Sequence, residues 1–84
     1  MPFALEAKGA GTTDGTLVQQ NSWNGGCGQL WKIELLDDGS YKVRSACSDK
    51  VLDVTDASQD DGALIHLWSS WNGTNQQWTF EPMP

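Results

Sequence analysis

Apolar and polar residues alternate over short stretches of this chain, and each stretch ends at a cluster of turn-forming residues. Such runs predict strands at Ala4–Lys8, Leu17–Asn21, Gln29–Leu36, Tyr41–Ala46, Val51–Thr55, Leu64–Trp68 and Gln77–Glu81. Between them lie GAGTTDG, NGGCG, DDGS, DASQDDG and SSWNGTN, in which Gly, Asn, Asp and Ser supply turn chemistry. Asp37-Asp38-Gly39-Ser40, flanked by alternating runs, predicts a tight hairpin. No stretch keeps apolar residues at helical spacing for three turns. The predicted class is all-β.

The pattern also repeats. A shift of 47 residues lays Asp14-Gly15 on Asp61-Gly62, Leu17-Val18 on Leu64-Ile65, and Gln29-Leu30-Trp31 on Gln76-Gln77-Trp78. Leu5 then matches Leu52, and Ile33 matches Phe80. Two copies of one four-strand unit follow: a partial repeat over 1–39 and a complete one over 40–84, within a single domain. The first copy lacks a counterpart to Ser40–Ala46. Trp31, Ile33, Trp78 and Phe80 alternate on their strands and are expected in the core.

Composition narrows the partners. A chain of 84 residues builds a modest core that needs bracing, and five Trp with nine Gly suit a loop-rich β protein with aromatic anchors. The net charge of −6 leaves five scattered basic residues, too few to neutralise a phosphate backbone, so nucleic acid is not an expected partner. No apolar run nears the roughly 20 residues that span a bilayer, so membrane insertion is not expected either. The opening MPFALEAKGA has no basic or apolar leader pattern, and any export signal is expected outside these residues. No metal spacing and no cofactor motif are found.

Cys27 and Cys47 leave two readings open. They are two partly buried thiols, or a disulfide. The DDGS hairpin sets Leu30 or Trp31 opposite Ala46 or Cys47, which brings Cys27 close. A bond would close a loop of about 20 residues and contribute roughly 3 kcal/mol on the chain-entropy model.

The paired Q-x-W motifs, Gln29-Leu30-Trp31 and Gln76-Gln77-Trp78, resemble those of ricin-B-type lectins and related carbohydrate-binding modules. The longer string Val51-Leu52-Asp53-Val54, Asp61-Gly62, Ile65-His66-Leu67-Trp68, Asn75-Gln76-Gln77-Trp78 follows one whole repeat of that family in order and spacing. The resemblance implies a β-trefoil of three repeats with one potential sugar pocket in each. This chain supplies fewer than two. Completion is therefore expected either within a longer protein or, preferably, by copies that associate and exchange elements. A secreted or extracellular location is expected.

The resemblance places the pocket on Asp53, His66, Trp68, Asn75 and Gln76, with Trp71 of the SSWNGTN loop as a second ring; His66 stands where Gln is usual. The residue types suit a neutral sugar. An indole face stacks against the C–H patch of a pyranose, a carboxylate accepts hydroxyl protons, and an amide both donates and accepts. Galactose-like sugars fit, as do xylose and arabinose units of polysaccharides, at roughly millimolar affinity per pocket. If Ile65 and Leu67 face inward, His66 and Trp68 face out. Gln76 is expected to pin the turn as well as support the pocket.

The N-terminal copy reads Glu6, Gln19, Asn21, Gly28 and Gln29 at the same positions. Without a ring at Asn21 or an amide at Gly28, independent binding there is not expected, although Trp23 could stack from its loop. Asn72-Gly73-Thr74 matches a glycosylation sequon beside the pocket and is read as a chance match. Two other functions compete. A protein-binding trefoil would place its chemistry on other loops, and none stands out. A glycosidase would need a carboxylate pair in an enclosed site, but Asp56, Asp60 and Asp61 share one polar turn and read as solvated. The expected function is non-catalytic carbohydrate binding.

Overall fold

A computed structural model describes residues 3–82. Six short strands carry the fold: β1 (Phe3–Ala7), β2 (Val18–Ser22), β3 (Trp31–Leu35), β4 (Tyr41–Ser45), β5 (Val51–Val54) and β6 (Ile65–Trp68). β1 and β2 pair antiparallel as one sheet, and β3-β4-β5-β6 form a second in that order. The hairpin at Asp37–Ser40 joins β3 to β4. Gly39 takes φ +87°, a conformation open to glycine, and its N–H donates to the Leu36 carbonyl. Asp38 Oδ1 accepts from the Ser40 N–H and hydroxyl, which stiffens the turn.

The two copies fold alike, and the Q-x-W motif shows its physical work. Trp31 Nε1 donates to the Leu5 carbonyl at 2.9 Å, and Trp78 Nε1 to the matching Leu52 carbonyl at 3.2 Å. Gln29 accepts from the Asn24 N–H and donates to the Ser22 carbonyl. Gln76 does the same with Trp71 and Ser69. The indole thus pins one strand and the amide one loop. A turn from the first copy docks on the second: the Gly15 N–H donates to the Leu67 carbonyl, and the Leu67 N–H to the Thr16 carbonyl, both at 2.8 Å.

Cys27 and Cys47 are bonded, with Cα atoms 5.4 Å apart, so the free-thiol reading is set aside. The Ala46 N–H donates to the Leu30 carbonyl, the register that brings the two cysteines together.

Two expectations need correction. The strand at Gln77–Glu81 is absent. Trp78 forms a single two-way bridge to Tyr41, and no second strand among the described residues extends the ladder. The core is also smaller than expected. Ala7, Val43, Leu52 and Leu67 are buried, with Val18, Trp31, Ile65 and Trp78 packed against them. Ile33 and Phe80 remain 49% and 55% exposed. They border an open apolar cleft with Leu5, Trp31, Val43 and Trp78.

Candidate functional site

β5 and β6 build the site. Asp53 pairs directly with His66 across the two strands, and Trp68 follows His66 by two residues on the same face. Leu67 between them is fully buried, whereas Trp68 is 41% exposed, as the alternation of the strand requires. His66 Nε2 stands 2.7 Å from Asp53 Oδ1. The imidazole lies stacked on the Trp68 indole.

Asp53 is held from the other side by the turn before Trp78. Its Oδ2 accepts from Asn75 Nδ2 at 3.1 Å and from Gln76 Nε2 at 2.8 Å. Asn75 Nδ2 also donates to the Val54 carbonyl. A carboxylate offers about four acceptor positions, and three are filled. One remains, on Oδ1. Asp53 can therefore take one further hydroxyl proton rather than the two expected from its chemistry alone.

Trp71 forms the opposite wall. Its ring lies over Gly73 so closely that a Cβ there would come within 2.1 Å of the indole. The resulting cleft, about 280 Å³, is lined by Asp53, Asp56, Ala57, His66, Trp68, Trp71 and Asn75. Five of the six residues singled out in the sequence thus meet in one place. Gln76 does not line it. This side chain is fully buried beneath the carboxylate, where it bonds Asp53, Ser69 and Trp71, and so it supports the site without reaching it.

Asp56 and Ala57 were hidden from sequence reasoning. Both adopt left-handed backbone, φ +56° and +52°, in a 3₁₀ turn that lines the cleft. The one signal in the sequence is Gly9 at the place matching Asp56; in the structure Gly9 and Ala10 hold the same conformation in the first copy. Asp56 therefore sits at the rim and is not merely one of a solvated cluster. Among the described residues, no group of three or more His, Cys, Asp or Glu side chains is arranged to hold a metal ion.

The equivalent place in the first copy is differently furnished. Glu6 accepts from Gln19 and Asn21 on Oε2 and from Gln29 on Oε1. The Gln19 and Asn21 amides lead in holding its carboxyl below the ordinary range, against a smaller opposing effect of desolvation. The adjoining cleft, about 460 Å³, has no aromatic wall. Nor could an amide replace Gly28 without movement, since a Cβ there would stand 3.0 Å from the Ala10 backbone.

A family profile described as ricin-type beta-trefoil lectin domain-like matches residues 3–68. The chain belongs to this family. The lectin-like domain is 50% identical over 44 residues to the clotting factor G alpha subunit of Tachypleus tridentatus, a match that takes in 52% of the chain and 6% of that subunit. It superposes on ThreeFoil, a designed 3-fold symmetric protein, with a TM-score of 0.88 and 45% identity, over 90% of the chain and 54% of that protein. An exo-β-1,3-galactanase from Clostridium thermocellum, 1,3Gal43A, gives a TM-score of 0.84 and 40% identity, over 88% of the chain and 16% of the enzyme. The domain thus spans a small fraction of the natural relatives it matches. The fold is a β-trefoil with about two of its three repeats in the chain, and family membership supports carbohydrate binding in general.

Proposed function

We propose that the C-terminal cleft binds one saccharide unit non-catalytically, with the ring stacked on Trp68 and a hydroxyl held by Asp53. One observation carries this reading: a half-exposed indole beside a carboxylate that is locked by three donors yet keeps one acceptor position. The apolar face and the fixed acceptor meet the two sides of a pyranose. Trp71 and Asn75 close the sides. A galactose-like sugar is favoured, and the galactanase among the structural neighbours supports that choice; xylose and arabinose units come next. No rigid pair of free carboxylates faces a bond here, because Asp53 is committed to structural bonds. Titration with galactose, lactose, xylose and xylan, read by tryptophan fluorescence, tests the proposal, and silence toward all four would reject it.

We also propose an extracellular location, supported by the Cys27–Cys47 bond, which an oxidising compartment maintains, and by likeness to a clotting-factor subunit. The alternative of a protein-binding trefoil would rest on the exposed apolar face rather than on the cleft.

That face is the basis of a proposal about assembly. The Gly62–Leu64 turn matches the Gly15–Leu17 turn that docks on β6, yet Leu64 is 63% exposed. A third unit would cover it together with Ile33 and Phe80. An intact second copy brings nearly two units to a gap for one, so closure takes an exchange of units between copies. Light scattering should give a mass above that of one chain, and a stable monomer would refute exchange.

A further inference from the structure

The loop that carries Trp71 is held from outside by charged side chains that never meet the cleft. Lys42 extends from β4, and its ammonium donates to the Ser70 hydroxyl and to the Trp71 carbonyl, the latter at 2.8 Å. Lys42 is 9% exposed, and no carboxylate pairs with it among the described residues. Its cross-strand neighbour Glu34 is taken by Arg44, whose Nε and Nη2 donate to it at 3.0–3.1 Å. A buried ammonium satisfied by neutral oxygens is costly. Its position is what it contributes.

A second anchor holds the preceding residue. Lys50 Nζ donates to the Ser69 hydroxyl at 3.0 Å and pairs with Asp14 at 3.1 Å. Ser69 in turn donates to Asp14, which belongs to the other repeat. The first copy has Phe3 in the place of Lys50, so that anchor is not repeated there. Its loop Trp23 lies outside the cleft beside Glu6.

We propose that Lys42 is a positioning residue for saccharide binding: it sets the Trp71 wall of the cleft by clamping Ser70 and the Trp71 carbonyl. Lys50 assists from the same repeat, and Asp14 from the neighbouring one. The inference deepens the sugar-binding reading and rests on it for its effect on affinity, but the clamp itself is measurable without ligand.

The test is a double-mutant cycle in the full chain with Lys42→Met and Trp71→Ala, using lactose as probe. Amide hydrogen exchange is followed at residues 69–72. Lys42→Met should weaken lactose binding by about tenfold and speed exchange in that loop, with the His66 and Trp68 ring resonances unmoved. Lys42→Arg should restore part of the loss. In the double variant the losses should not multiply, because both changes remove the same wall. Unchanged exchange at 69–72 in Lys42→Met, or losses that multiply, would overturn the proposal. If that variant does not fold, Ser70→Ala at the exposed end of the clamp takes its place with the same two readouts. If the parent chain ignores lactose, the sugar reading fails for that probe, while exchange at 69–72 still decides the clamp.

Discussion

The His66 imidazole lies stacked against the Trp68 indole, ring centroids 5.2 Å apart and planes inclined by 22°. Two side chains on one face of β6 are thereby fixed together. Because His66 Nε2 also meets Asp53, the carboxylate orients the imidazole and the imidazole backs the indole. The exposed ring is therefore preorganised, which limits the ordering entropy a ligand must overcome.

The same carboxylate supports the fold. Asp53→Ala would leave one N–H of the fully buried Gln76 amide, and one of Asn75 Nδ2, without an acceptor, the other of each still meeting the Ser69 or Val54 carbonyl. Leaving a buried donor unmet costs about 1–3 kcal/mol. Chemical denaturation should show a loss of that size, together with loss of saccharide binding.

Gly73 separates the site from the scaffold more cleanly. A methyl group there would collide with the Trp71 ring, whereas at the matching Gly26 the nearest atom is Asn24 Oδ1, 3.1 Å away. Gly73→Ala should weaken saccharide binding severalfold with the core intact, and Gly26→Ala should leave binding unchanged. Parallel titrations of the two variants check this.

Much of this was legible in the sequence, because it rests on periodicity. The 47-residue shift predicted the equivalence of Trp31 with Trp78 and of Gln29 with Gln76, and both pairs make matching bonds. Alternation alone turned Trp68 outward. Contacts between elements were not legible. Glu34 and Lys42 face each other across β3 and β4, yet Arg44 captures the carboxylate and Lys42 reaches the loop instead. Burial of Ile33 and Phe80 was expected from alternation, which gives the face a side chain takes but not whether anything covers that face. The left-handed Asp56 and Ala57 carry no residue signature, unlike Gly9 at the matching place.

Acid should loosen the domain. Hydrogen bonds from Gln19 and Asn21 lower the Glu6 pKa, and bonds from Arg44 and Ser40 do the same for Glu34 and Asp38. Desolvation opposes at Asp14, where bonds from Lys50 and Ser69 together outweigh it. Each carboxylate is more acidic folded than unfolded. Its contribution is thus fully present above the ordinary carboxylate range, about 4, and is lost as pH falls through the lowered values. Melting temperature should be flat near neutrality and drop below about pH 4, with a shallower drop in Glu6→Gln.

The single disulfide braces a small core. Its bonded residues lie 20 apart in sequence, and a loop of that length is worth roughly 3 kcal/mol on the chain-entropy model. Reduction, or Cys27→Ser with Cys47→Ser, should lower unfolding free energy by about that amount. Denaturant titration with and without reductant measures it.

The central claim is that a saccharide ring rests on Trp68 beside Asp53. Titrating lactose into the protein while following the indole N–H resonances tests it most directly. The account predicts that Trp68 and Trp71 shift with saturation, that Trp31 and Trp78 stay fixed, and that Trp68→Ala abolishes the response. Binding that survives Trp68→Ala, or shifts confined to Trp23, would contradict it.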